Sequence, residues 1–257
     1  MTDAVPVFEQ PSPRINRIPL DRPWTWLARG WIDLQHAMPL ALAYGSLLVI
    51  ASFAITAALL YAGMIYLLLP VAAGFFLVAP VIATGLYEIS RRHELGETVS
   101  LAEVLSACRR NGTQIALLGL ILMLIHLFWM RIAMLLFALF FQSGNPGWDG
   151  MIDAVFFSRV SLPFLVIGTV MGFALAAVSF ALSAVAIPML LDRDVNVFTA
   201  VATSWTAVTT NWKPMALWAV LIVFFTGIGL VTFYLGLAVT VPLIAFASWH
   251  AYRDLVR

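Results

Sequence analysis

Charge is scarce in this chain. Only 11% of its 257 residues are Asp, Glu, Lys or Arg, where a soluble domain carries about 25%. With 62% hydrophobic residues and a mean hydropathy of +0.97, that scarcity excludes an ordinary water-soluble globule and points to a bilayer. A single cysteine, Cys108, rules out an internal disulfide. There is no phosphate-binding loop, no HExxH, no CxxC and no plausible nucleophile triad. No enzyme activity, no cofactor and no nucleic-acid partner is therefore expected. No Asp or Glu falls inside an apolar run, which excludes an intramembrane carboxylate relay.

What is present is a succession of apolar runs. About 20 residues are needed to cross a bilayer. Runs over 40–60 and 63–87 read as a tight hairpin, followed by 115–141 and 160–190. The stretch from Pro214 to Trp249 has no charge and is too long for one crossing, so it divides near Gly227–Thr232 into 214–231 and 233–252. The expectation is an all-α membrane domain over 24–257 with six transmembrane helices, after a flexible cytoplasmic tail over 1–23. No signal peptide is visible. Twelve of the 14 Lys and Arg residues fall on one side of these six spans, which makes that side cytoplasmic and puts both termini there. Seven of the nine tryptophans cluster near the same face, as an aromatic belt does.

The unit repeats. Trp24, Leu27, Trp31, Leu34 and Met38 form an apolar stripe at helical spacing, and Phe198, Val201, Trp205, Val208 and Trp212 repeat it. A second copy, Leu101, Val104, Cys108, Asn111 and Ile115, follows a capping box of Ser100 and Glu103. The ends of the spans repeat as well. PVIATGLYEISRR (80–92) aligns without a gap on PLIAFASWHAYRD (242–254), and ALSAVAIPMLLDRD (181–194) is a weaker third copy. The reading is three interfacial amphipathic helices, each followed by two spans, in a quasi-threefold parallel repeat about an axis along the membrane normal. Gly168, Gly172 and Ala176 add a small-residue line suited to a close helix contact.

GLYEISRRHELGE (85–97) and FYLGLAVTVPLIAFASWHAYRDLV (233–256) resemble a bacterial family of integral membrane proteins known only as a domain of unknown function. Some members carry a cytochrome c oxidase subunit label. In the last motif this chain has Ala245-Phe246 where the family pattern has Gly-His. Oxidase catalysis needs several histidines inside the membrane. This chain has only His36, His93, His126 and His250, of which His126 alone lies well inside a span. The resemblance leaves room for an accessory or assembly role beside an oxidase.

Three sets of residues are candidate sites. Arg131 sits inside the third run, close to its outer end, with Asp149, Asp153 and Arg159 in and beyond the following loop. The set suits an anion or a lipid headgroup on the outer side, and equally a snorkelling structural arginine. Glu88, Arg91, Arg92, His250 and Arg253 close the second and sixth spans, as salt bridges or as a cytoplasmic docking collar. Met123, His126, Met130 and Met134 share a helical face; thioethers with imidazole suit copper(I), and methionines also fill cores. The function expected first is a scaffold or assembly protein in the bacterial inner membrane, within a membrane protein complex or a homo-oligomer. The alternative is a transporter or channel for a small or amphiphilic solute.

Overall fold

The structure, a computed structural model, describes residues 13–141 and 153–257. Among them the chain is helical, and its one strand-like feature is an isolated antiparallel bridge between Ile15 and Val256. Helix α1 (Arg22–His36) starts with Pro23 in its first turn, where a missing backbone donor costs nothing. It passes through Ala37 into α2 (Met38–Tyr61). Gly63, at φ 66°, turns the chain where a side chain is disfavoured. A short 3₁₀ turn leads into α3 (Leu68–Ile82) and α4 (Thr84–Glu94), and Gly96 at φ 68° ends that arm. Then come α5 (Leu101–Ser106), α6 (Gly112–Phe140), a π-helical turn at Asp153–Phe157, α7 (Ser161–Ser183) and α8 (Ala186–Asp192). The chain closes with α9 (Val197–Thr210), α10 (Trp212–Val231) and α11 (Leu237–Leu255). The Ser100–Glu103 capping box opens α5 with both of its reciprocal bonds present.

Four segments are long and apolar enough to cross a membrane: α2, α6, α7 together with α8, and α10. The two other expected spans take a different form. The run over 63–87 is broken at Ala83 into α3 and α4, and the carbonyl of Ile82 at the break accepts a bond from the Tyr44 hydroxyl of α2. The last run divides as expected, with its turn over residues 232–236. Phe233 and Tyr234 both take positive φ there, and Tyr234 is held by its hydroxyl to Thr56 at 2.9 Å. The helix that follows, α11, grades from an apolar start into the polar WHAYRD. The break between α7 and α8 has a clear cause. Pro188 removes a helical donor, and its ring conflicts with the carbonyl four residues back. The backbone N–H of Val185 is satisfied instead by the Ser204 hydroxyl of α9, at 3.1 Å.

Packing is uneven along the membrane axis. The largest fully buried side chains include Trp26, Leu86, Ile89, Ile187, Met189, Phe246, Trp249 and Tyr252, all near the end that carries Asp254 and Arg193. Helix α1 runs antiparallel along the second half of α11. A Cβ on Gly30 would lie 2.7 Å from the backbone nitrogen of Ala247, and one on Gly45 would strike the backbone of Ala238. Glycine at these two positions is what lets α1 and α2 lie against α11. The buried face of α1 is Trp26, Gly30, Asp33 and Leu34, whereas Trp24 and Trp31 of the aromatic stripe point out of the bundle. Helix α9 does the same, with Phe198 and Trp205 outward and Ala200, Ser204 and Ala207 inward. Residues 13–21, expected in a flexible tail, are held in place. Asn16 bonds to the carbonyls of Leu255 and Asp254, and Ile18 N–H donates to the side chain of Asn211.

Candidate functional site

Two features stand out: a ring of paired charges at the polar end and a cavity within the apolar half. In the ring, Glu88 of α4 is 2% exposed. It accepts two bonds from Arg91, both 2.8 Å, and one from Arg92 at 2.9 Å, and Arg110 lies 3.4 Å away. Arg92 reaches on to Glu103 at 2.7 Å and Glu97 at 3.3 Å. Burial pushes the Glu88 carboxyl up, but the bonds from Arg91 and Arg92 outweigh it and hold the group below the ordinary carboxylate range.

Asp33 of α1, 6% exposed, is the second centre. It takes a bond from Ser90 at 2.5 Å and faces Nδ1 of His93 at 3.2 Å and Nε2 of His250 at 2.9 Å. Three helices, α1, α4 and α11, therefore meet on one carboxylate. Burial raises its pKa, and the bonds from His250, Ser90 and His93 more than offset that, leaving it low. His36 packs edge-on against His93, with ring centroids 5.9 Å apart. Arg253 spans Glu94 at 3.1 Å and Asp192 at 3.3 Å, while Tyr252 donates to Asp192 at 2.6 Å. Asp254 takes Arg22 and Trp26, each at 2.7 Å; these bonds overcome its burial and keep its carboxyl low.

All five expected collar residues, Glu88, Arg91, Arg92, His250 and Arg253, lie in this ring and are engaged with neighbours in the same chain. Asp33 was not singled out from the sequence. It stands between Trp31 and Leu34 in a helix whose aromatic stripe draws attention to the opposite face. Its one signal is that it is the only acid within α1.

The second feature is a cavity of about 1000 Å³ between α3, α6, α7, α10 and α11. Tyr66, Phe137 and Phe164 line it at one end, and Tyr87, Ser183 and Ser248 line it toward the ring. Trp129 crosses its wall, with its indole N–H on the carbonyl of Pro70 at 3.0 Å. The small-residue line of α7 opens this space. A Cβ on Gly168 would meet only Leu136, at 4.0 Å, and one on Gly172 would meet the Trp129 ring at 3.0 Å. Here small residues make room rather than bring two backbones together.

The other expected sites lie apart from both features. Arg131 is exposed on α6 and forms no ion pair with another described residue. Asp153 and Arg159 are also exposed, and Asp149 lies outside the described residues. Met123 and Met134 face outward, Met130 packs beside Trp129 and Ala133, and the His126 ring lies against Gly74 of α3. Among the described residues no group of three or more His, Cys, Asp or Glu is placed to hold a metal ion.

Long apolar helices with outward-facing apolar side chains define an integral membrane protein. Residues 68–192, just under half of the chain, match the model of a family described as "Predicted integral membrane protein (DUF2189)". The resemblance read from GLYEISRRHELGE falls inside that segment, and the second motif, at 233–256, lies beyond it. No match to the chain was found among curated proteins or among solved structures.

Proposed function

We propose that this is a non-enzymatic protein of the bacterial inner membrane that takes up an amphiphilic molecule into its bilayer-embedded cavity. One observation carries the reading: an apolar space of about 1000 Å³ between five helices, at the upper end of the size range of small-molecule pockets. An ion would find no partner there for its charge. The reading stands ahead of a scaffold for other membrane components because the collar charges are spent on one another within the chain. In the proposed topology α3–α4 and α11 cross the bilayer as well, giving six spans with both termini in the cytoplasm. The Lys and Arg bias supports that orientation. The mutual contact of α4, α8 and α11 supports the threefold repeat, since these are its three equivalent ends.

Native mass spectrometry of the protein, released gently from its own membrane, tests the binding. The wild type is expected to retain a lipid-sized hydrophobic adduct, and Gly168→Phe, which fills the cavity, is expected to lose it. A wild type without an adduct, or an adduct indifferent to Gly168→Phe, defeats the reading. For topology, membrane-impermeant maleimide on Cys108→Ser protein is expected to label a cysteine placed at Asp153 from outside the cell and one placed at Arg193 only after lysis.

A further inference from the structure

The cavity wall has a chemical bias that narrows its ligand further. No Asp, Glu, Lys, Arg or His lines it among the described residues. A phosphate headgroup, an ammonium or a fatty-acid carboxylate would enter without a counter-charge, and burying an unpaired ion is strongly unfavourable. The wall also has length. Along α7 it runs from Phe164 to Ser183, about 28 Å at 1.5 Å per residue, close to the ~30 Å of a hydrocarbon core. An extended chain fits that shape.

Six residues of the wall carry hydroxyls; Tyr87, Ser183 and Ser248 gather at the end nearest the charged ring, and Tyr66, Thr169 and Thr226 are spread along the rest. The Tyr87 hydroxyl lies beside that of Ser248, and Ser183 donates to the carbonyl of Ser179 at 2.7 Å. One hydroxyl of the Tyr87–Ser248 pair keeps a free proton, and the Ser183 oxygen keeps free lone pairs. Further along, Thr226 is 3% exposed, lines the same cavity and makes no hydrogen bond to a described residue. Buried hydroxyls are ordinarily bonded, so an unbonded one on a cavity wall marks a place for a ligand atom.

We infer that the cavity takes an uncharged, single-chain amphiphile, a long hydrocarbon ending in a hydroxyl or carbonyl, seated with its polar end at Tyr87, Ser183 and Ser248. This rests on the amphiphile-binding reading above. Charged lipids are excluded by the bare apolar wall, and the hydroxyl end separates an alcohol or carbonyl compound from a plain alkane.

Three bromine-terminated twelve-carbon probes test it: an alcohol, the matching carboxylate at a pH where it is ionised, and the bromoalkane. Bromine quenches indole fluorescence, and Trp129 and Trp218 line the cavity. Each probe is titrated into the full-length protein in mild detergent, with Gly168→Phe as the background. The alcohol is expected to quench saturably, about tenfold more tightly than the carboxylate and roughly three- to tenfold more tightly than the bromoalkane, the worth of one hydrogen bond. Ser248→Ala and Tyr87→Phe should shrink the preference for alcohol over bromoalkane while leaving bromoalkane binding unchanged. Ser183→Ala serves the same purpose if Tyr87→Phe disturbs folding. A carboxylate that binds as well as the alcohol overturns the inference, as does a bromoalkane that equals it. If none of the three quenches saturably, the amphiphile-binding reading falls as well.

Discussion

The two ends of the bundle are built on opposite principles. At the polar end, α1, α4, α8 and α11 share a core of tryptophan, tyrosine and aliphatic residues, closed by carboxylates that each hold two or three partners. In the apolar half, α2, α6, α7 and α10 expose most of their side chains, and a cavity lies between α3, α6, α7, α10 and α11. The difference follows from the solvent. Near water, burying apolar surface stabilises the fold and charges are available to lock it. In lipid, helix contact gains no hydrophobic free energy, so association rests on packing and hydrogen bonds. The tight end holds the fold, and the loose end is free to hold a ligand.

If that division is right, the largest loss of stability comes from the ring. Glu88→Ala leaves Arg91, Arg92 and Arg110 without their shared carboxylate, and breaking such a buried set costs about 3–5 kcal/mol. A lowered apparent Tm in detergent is the readout, and an unchanged one removes Glu88 from the lock. Asp33→Asn should cost about 2–3 kcal/mol through weaker bonds to Ser90, His93 and His250. Gly45→Leu, which drives a side chain into the backbone of Ala238, should cost roughly 1–3 kcal/mol by separating α2 from α11.

Acid probes the same ring without mutation. Glu88, Asp33 and Asp254 have folded-state pKa values below their unfolded ones. Their stabilisation is therefore complete above the ordinary carboxylate range, about pH 4, and is lost as pH falls below it through the folded values. Thermal unfolding followed downward from neutral pH should stay level and then drop steeply. In the Asp33→Asn protein that drop should be shallower.

The smallest effects belong to the apolar half. Gly168→Phe should change stability by no more than about 1 kcal/mol, because its side chain enters existing space, while bound ligand is lost. Arg131→Ala should leave the apparent Tm where it is, since Arg131 has no protein partner among the described residues. A collapse of either variant comparable to Glu88→Ala would dissolve the contrast between the two ends.

Much of this was legible in the residues. The apolar runs, the turn after Val231, the Ser100–Glu103 cap and the Glu88–Arg92 pair are local features, set by spacings of a few residues. The centre at Asp33 was not legible, because its partners lie 57, 60 and 217 positions away along the chain. The cavity was hidden for a related reason. Gly168 and Gly172 read as a contact stripe, and only the placement of Trp129 and Leu136 on α6 shows them opening a space instead.

The sequence by itself therefore determined that this is a helical membrane protein with one strongly basic, tryptophan-rich end. Length, hydropathy and charge placement act on each segment separately. Tertiary structure alone decided which face of α1 and α9 is inside, which carboxylate joins three helices, and that the helices leave between them a space lined without charge. Each of those depends on side chains far apart in the chain arriving at one place, and no local pattern records that meeting.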